Sequence, residues 1–518
     1  MSAFKSVLMF LLIIGIQAGI WAQEREKELT LQDAIVTALD NNLDLKIEIQ
    51  TRDYFWESLR SNQAIFVPNL NIEYQRRETN RPSSGILSGA DVEKQGNDTL
   101  NVGLSQQIAL GGTLNVSLQN SRSTSNSAFT TINPALYSTL TLSISQPLLK
   151  NFGTLATKKD IYIAANEYRK NDLSLKQAMI DLVYQVEEAY WNLVYAHQNL
   201  DAKKQSLLRA RDLLRQNEKK VRVGAAARID ILEAKAEVAS YESQLLEAEK
   251  NILTAEEQLK KILNISQSAE VIMPTDSPEV RSMALDFNAF LQEAMDSRPD
   301  ILQARIELES HNIRVKYARN QMLPDLQLTA SYYTTGRGGD QLIFDPDSSP
   351  FDLNRPVIGV ISKDVIDALE EVVSNLYRNY SIGIKLSVPL GQAQEKARLA
   401  QARIDMKRAL LNLQRVENTI FSDLKQALKE LEANRKLVES NQIALELQAQ
   451  KLKAEEKKLS VGMSTNYQVL NYQRDYANAQ AGALQSTINF NLTLARINRI
   501  IARNLEEYGI HFNDFQRD

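Results

Sequence analysis

The sequence predicts an internally duplicated α+β membrane fold, in which amphipathic strands form a transmembrane β-barrel joined to very long coiled-coil helices. Three observations predict it. An apolar leader is followed by no second membrane-spanning run, one plan of helices and strands occurs twice, and the strand segments alternate apolar with polar residues.

The leader comes first in the chain. Lys5 precedes an apolar run from Val7 to Ile16, and the segment ends at Ala22, so residues 1–22 read as a secretory signal peptide. Beyond it, no stretch approaches the ~18 apolar residues that a transmembrane helix needs. An exported chain without such helices is either soluble or a β-barrel, because only helices and closed barrels satisfy the backbone in lipid.

Composition excludes several functions. The 518 residues carry 60 Lys+Arg against 64 Asp+Glu, a net charge of −4, with no basic stripe for nucleic acid. There is no cysteine, which removes disulfides, thiolate metal sites, a cysteine nucleophile and an acylated lipoprotein N-terminus. His197, His311 and His511 lie far apart, and the nine methionines are scattered, so neither type marks a metal site. No converging Ser, His and Asp set and no pocket of paired carboxylates marks a catalytic centre. Glu187-Glu188 and Glu256-Glu257 sit on helices and read as solvated faces. Phosphate-loop and dinucleotide motifs are missing, so the chain reads as a non-enzyme without a cofactor.

The duplication is visible in two registers. At an offset of 256, residues 29–47 lie over 285–303 and Pro68 meets Pro324; at 238, Gly153 meets Gly391 and Gly224 meets Gly462. The first repeat, 23–264, then holds helix 31–66, strands 69–78, 99–109, 113–121 and 138–148, long helix 157–222 and helix 229–264. A linker, 265–284, leads to the second repeat, 285–504. It holds helix 286–322, strands 325–334 and 380–390, long helix 392–460 and helix 467–504, before a tail of 505–518. Linker and tail are expected to wrap the middle of the helical part.

A seven-residue period identifies the long helices as coiled coils. Met179, Val186, Leu193, Leu200, Leu207, Leu214 and Val221 repeat it in the first half, and Leu424, Leu431, Val438, Leu445, Leu452 and Leu459 in the second. Helix 157–222 would extend roughly 100 Å at ~1.5 Å per residue. The helices before the strands and after the glycine turns are each about half that length, so end to end they match one long helix.

Between the helices the period becomes two. Leu140, Leu142 and Ile144 oppose Thr141, Ser143 and Ser145; Ile382, Ile384 and Leu386 oppose Ser381, Gly383 and Lys385. Leu70, Ile72 and Tyr74, and likewise Leu326 and Leu328, alternate with polar residues in the same way. Such segments are the signature of a membrane barrel. Too few occur per chain to enclose a pore, so several chains would share one barrel under rotational symmetry. Residues 99–121 read as an added hairpin, whose parity fits either the barrel wall or a position outside it. The Gly-, Pro- and Asn-rich stretches 80–97 and 336–378 read as outward loops, with a short amphipathic helix at 362–377.

ALDNNLDL (38–45) and AMDSRPDI (294–301), SQPL (145–148) and SVPL (387–390), and the turns RVGAAARIDILEA (222–234) and SVGMSTNYQVLNY (460–472) occur in this order, each motif twice. In that order they resemble the TolC-like outer-membrane efflux family over about 29–504. The resemblance implies a homotrimer whose shared twelve-stranded barrel is continued by a long periplasmic α-helical coiled-coil barrel. It implies a passive duct in the outer-membrane lipid, with cargo driven by an inner-membrane RND or ABC transporter through a periplasmic adaptor. Carried over, the adaptor-docking tips include Val223, Gly224, Ala227 and Asp230, and Val461, Gly462 and Thr465. The candidate tunnel constriction includes Asp230, Glu233, Ser464, Gln468 and Asn471. Many relatives place carboxylates just after the second turn, where this chain has Gln468 and Asn471, and some flank that turn with a tyrosine and an arginine, where it has Leu459 and Ser464. Drugs, metal ions and polypeptides all remain open as cargo. A structural coiled-coil stalk or adhesin is the alternative; it would not need duplicated barrel segments and tips.

Overall fold

The computed structural model describes residues 26–83, 92–265, 270–280, 286–349 and 355–512. The expected signal peptide lies outside them. The chain divides into two compact units, one of residues 54–168 and 306–411, the other of 1–53, 169–305 and 412–518.

The first of these units holds an antiparallel sheet. Its strands are β2 (Asn69–Pro82), β3 (Val92–Gln107), β4 (Thr113–Ser125), β5 (Ile132–Pro147), β7 (Asp325–Phe344), β8 (Val357–Lys363) and β9 (Arg378–Ser387), in the order β2-β3-β4-β5-β7, with β9 on the lower part of β7 and β8 on its upper part. Strand pairing sorts the side chains by face, because they alternate along each strand. One row of partners reads Leu70, Leu104, Val116, Leu142, Tyr332 and Tyr380. The adjacent row, on the opposite face, reads Asn71, Gly103, Ser117, Thr141, Tyr333 and Asn379. On that polar face the Ser331 and Ser381 hydroxyls meet at 2.9 Å, and those of Thr139 and Thr335 at 3.3 Å. The added hairpin is β3–β4. It stands between β2 and β5, and β2 has no other partner among the described residues.

Among the described residues, the stretches expected as outward loops contain substantial strand. β2 runs on to Pro82 and β3 begins at Val92; β7 continues to Phe344 and pairs with β8. Glycine misleads here because it favours turns but also permits close backbone approach. A short helix, α7 (Val365–Val373), lies on β7, and a Cβ on Gly336 would stand 1.8 Å from the Ala368 carbonyl oxygen. Asp364 caps that helix, its Oδ1 accepting from the Ile366 and Asp367 amides at 2.8 and 3.0 Å, while Asp367 accepts from the Asp364 amide.

The other unit is built on helices. Strand β1 (Glu26–Leu29) precedes α1 (Leu31–Asn41) and α2 (Leu43–Gln63); the very long α3 (Lys159–Arg222) turns into α4 (Arg228–Leu263). The second half follows with α5 (Phe287–Ser297), α6 (Pro299–Gln321), α8 (Ala393–Ser460) and α9 (Asn466–Ile500). Parts of α2, α3, α6 and α8 fall within the residue ranges of the first unit. The repeat shows in their lengths: α3 and α8 have 64 and 68 residues, α4 and α9 have 36 and 35. The heptad residues Met179, Val186, Leu193, Leu424, Leu431 and Val438 are buried. Further along α3 the seam moves: Leu213 and Asn217 are buried, whereas the expected Leu214 is only half-buried.

Neither helix 31–66 nor helix 286–322 is continuous. The first breaks at Asn42, whose side chain accepts from the Leu45 amide at 3.0 Å and donates to the Ile262 carbonyl at 3.0 Å. The second breaks at Arg298, which is extended, as a residue before proline must be, and Pro299 then opens α6. In each half the break meets the end of the helix that follows the turn: Asn264 donates to the Asn41 carbonyl, and Arg298 to the Ile500 carbonyl.

Linker and tail both pack beside α3. Strand β6 (Val271–Pro274) pairs in parallel with β1, and the Asp276 carboxylate receives the Leu31 amide and the Tyr190 hydroxyl, both at 2.7 Å. The one-turn helix α10 (Asn504–Glu507) sends Asn504 to the Ile180 carbonyl. The neighbouring Tyr508 hydroxyl donates to Glu187, whose carboxyl burial pushes up to about 8.

Candidate functional site

The sequence places its site residues on two turns, between α3 and α4 and between α8 and α9. Both turns have the same backbone. Gly224 and Gly462 each adopt φ +78°. The Gly224 amide donates to the Val221 carbonyl and the Ala225 amide to that of Lys220; the Gly462 and Met463 amides reach Leu459 and Lys458 in the same pattern. These paired bonds satisfy the carbonyls at the end of each long helix and require a residue with positive φ at the glycine position. An added Cβ would meet nothing within 4 Å at either glycine, so the backbone angle alone selects glycine.

The helices that leave the turns are capped differently. Asp230 reaches back to accept the Ala227 amide at 3.0 Å. At the second turn the Thr465 hydroxyl accepts the Gln468 amide at 3.3 Å. Each makes one of the two bonds of a capping box. Asp230, a candidate for both docking and constriction, is thus engaged in closing its own helix. Ser464 is engaged too, donating to Glu455 at 2.5 Å, and Glu455 also pairs with Lys458 at 3.0 Å. The Ser464 hydroxyl and then Lys458 hold the Glu455 carboxyl below its ordinary value.

The two turns share one core. Leu213 of α3 packs with Leu452 and Leu459 of α8 and with Val469 and Leu470 of α9. Arg209 lies over the Tyr476 ring at 5.1 Å, and Arg474 stands 3.8 Å from Glu237 of α4. Of the residues read from sequence, Val223, Gly224, Ala227, Val461, Gly462, Thr465 and Gln468 are exposed, and Asp230, Glu233, Ser464 and Asn471 are half-buried. Ile229, Met463 and Tyr467, within the turn segments read from sequence, and Leu232 beside them leave the tips with an apolar exposed surface; Val223 and Met463 are 78% and 77% exposed. The signal was available in the turn sequences themselves, but the heptad pattern assigns such apolar residues to a core. Asn217 was missed as well. It is fully buried and donates to the Asp230 carbonyl, placing a polar group in the apolar seam beside the turn.

A sheet with one apolar and one hydroxyl-rich face, in a chain whose duplicated helices end in matched glycine turns, is the architecture of an outer-membrane channel. The chain belongs to the outer membrane efflux protein family, which matches residues 113–264 and 290–503. It is 25% identical over 364 residues to the outer membrane protein TolC of Escherichia coli, covering 64% of this chain and 67% of TolC. It is 22% identical over 348 residues to the outer membrane efflux protein BepC of Brucella suis, covering 67% of this chain and 68% of BepC. In fold it is similar to the CmeC outer membrane channel of Campylobacter jejuni, with a TM-score of 0.64 at 16% identity over 94% of this chain and 90% of that one. The protein is an outer-membrane efflux channel with a large periplasmic part. No helix among the described residues is long and apolar enough to cross a membrane.

Proposed function

We propose that the chain is the exit duct of a tripartite efflux or type I secretion system. It works as a homotrimer that conducts cargo passively while an inner-membrane RND or ABC transporter drives transport through a periplasmic adaptor. The observation that carries this reading is the sheet: its apolar face is exposed, and so are both edge strands. Ile72 of β2 and Tyr380 of β9 are 66% and 79% exposed in the single chain. Long apolar edges invite pairing with another copy, and ring closure removes every edge. The apolar face would then meet lipid, and the polar face would line the lumen.

The tips supply the docking surface in this reading. Val223, Gly224, Ala227 and Asp230 present one half, and Val461, Gly462 and Thr465 the other, supplemented by Ile229, Met463 and Tyr467. The constriction would lie beside them, at Asp230, Glu233, Ser464, Gln468 and Asn471. The chain purified in detergent is expected to run as a trimer, and thiols at Val223→Cys or Val461→Cys to crosslink to a co-expressed adaptor. A stable monomer with a closed barrel, or trimers whose tips never crosslink, would refute the reading.

A further inference from the structure

Among the described residues, the hairpin β3–β4 raises the count of wall strands in each chain from four to six: β2, β3, β4, β5, β7 and β9. We infer that it is built into the barrel wall, so that three chains close eighteen strands and the outward mouth is wider than a twelve-stranded ring would give. The inference rests on the trimeric duct proposed above and deepens it by assigning the width of the exit.

Pairing is the first ground. β2 and β5 do not touch in register; β2 is bonded to β3 from Asn69 to Pro82, and β4 to β5 from Thr113 to Ser123. With the hairpin outside the wall, β2 would have to break its whole ladder and form another with β5, and any backbone left unpaired in lipid would be costly. Facing is the second ground. Leu104 and Val116 carry the apolar row from Leu70 to Leu142 without a gap, and Gly103 and Ser117 carry the polar row beside it. A hairpin lying outside the wall would have no reason to keep both faces in phase. Anchoring is the third. The hairpin turn is pinned to the exit of β5, since the Leu110 carbonyl accepts from the Gly153 amide and the Gln146 side chain, both at 3.1 Å. A Cβ on Gly111, where φ is +92°, would stand 2.4 Å from the Asn151 carbonyl oxygen. Parity permits this closure, as it would permit closure with four strands. Six strands leave β2 and β9 running in opposite directions, so that β2 of one copy can meet β9 of the next as an antiparallel pair.

Width follows from the count. With strands ~4.8 Å apart and tilted ~40°, eighteen strands give a backbone diameter of roughly 36 Å, against roughly 24 Å for twelve. The exit would admit solutes at least about 1.5 times wider, because backbone diameter grows in proportion to strand number and lumen-facing side chains narrow both rings by the same thickness.

The test is electron cryo-microscopy of the full chain in lipid nanodiscs, which counts strands directly. Eighteen strands in a trimer are expected. A trimer of twelve strands, with the hairpin outside, would overturn this inference and leave the duct standing; a monomer would overturn the duct itself. The chain has no cysteine, so single introduced thiols give an independent reading. Ser117→Cys should react with a water-soluble maleimide, and Leu118→Cys only with a lipid-soluble one. Equal reaction of both with the soluble reagent would place the hairpin outside the wall. In planar bilayers, polyethylene glycols added from the outward side should enter the mouth up to a radius at least about 1.5 times that expected of a twelve-stranded ring, and a cut-off at the twelve-stranded value would refute the wider exit.

Discussion

The two tips have one backbone and two chemistries. Gly224 and Gly462 share a φ of +78° and the same pair of hydrogen bonds, yet Asp230 caps from inside its helix while Thr465 caps from in front of it. Duplication has kept the turn, which backbone geometry dictates, and let the cap diverge, because either bond of a capping box satisfies an otherwise unpaired amide. In the duct proposed above, the divergence would bear on function. It ties up an acid at the first tip and leaves Gln468 and Asn471 uncharged at the second.

The largest expected effect tests the shared part. Gly224→Val and Gly462→Val should each cost about 1–2 kcal/mol or more in the local turn, since a β-branched residue is poorly tolerated at positive φ. Hydrogen exchange at the ends of α3 and α8 should rise equally in the two variants, and crosslinking to the adaptor should fall. One tip that tolerated valine would show that the two backbones are not equivalent in solution.

The next test addresses the divergent charges. The double variant Gln468→Asp and Asn471→Asp would add six carboxylates to a trimer, two from each chain. A ring of ionised groups concentrates cations through a field that salt screens within about 10 Å at 0.1 M. Single-channel currents should become more cation-selective and more sensitive to block by divalent cations. Strong selectivity in the unmodified channel would mean that Asp230 and Glu233 already line the constriction.

The caps come third. Thr465→Ala should cost about 1 kcal/mol and loosen the first turn of α9, whereas Asp230→Ala should also remove a favourable charge from the N-terminus of α4, worth a further ~0.3–1 kcal/mol. Protection factors in the two first turns would measure the difference. Equal losses would mean that the two capping modes are interchangeable.

The smallest effect is a pH dependence confined to the second tip. Glu455 is held below its ordinary value of 4.5 by Ser464 and Lys458. A depressed carboxyl contributes stability that is present above that value and lost as pH falls through the lower folded one. Exchange at the second turn should therefore increase in acid below about 4.5, and Ser464→Ala should shrink that increase. An acid response unchanged by Ser464→Ala would assign it to another group.

Much of this was legible from sequence because period reports packing. Leucines seven apart located α3 and α8, and alternation located the strands, down to the parity of Leu140 and Thr141. The breaks at Asn42 and Arg298 were missed although Pro299 stands in plain view, because the apolar pattern continues on both sides and masks the interruption. β8 and the upper part of β7 were missed for the opposite reason: Gly336 and Gly338 look like a loop until the helix and its cap are found lying on them, and Gly339 until β5 is found against it. At the tips, glycine announced itself. The caps did not, since Asp230 looks the same in sequence whether it serves an amide or a lumen. Nor does a heptad distinguish Met463 and Tyr467, which stay exposed, from Leu459 and Val469, which pack.

The interruptions at Asn42 and Arg298 also have a mechanical meaning. α3 and α8 carry unbroken hydrogen-bond ladders over 64 and 68 residues, so each behaves as a stiff strut. Where α1 meets α2 and α4, and where α5 meets α6 and α9, the ladder is replaced by a few side-chain bonds from Asn42, Asn264 and Arg298. Under bending or torsional load the compliance of a rod concentrates at its joints. Each repeat therefore pairs a stiff strut with a jointed one, and the joints sit where β1, β6 and α10 brace α3.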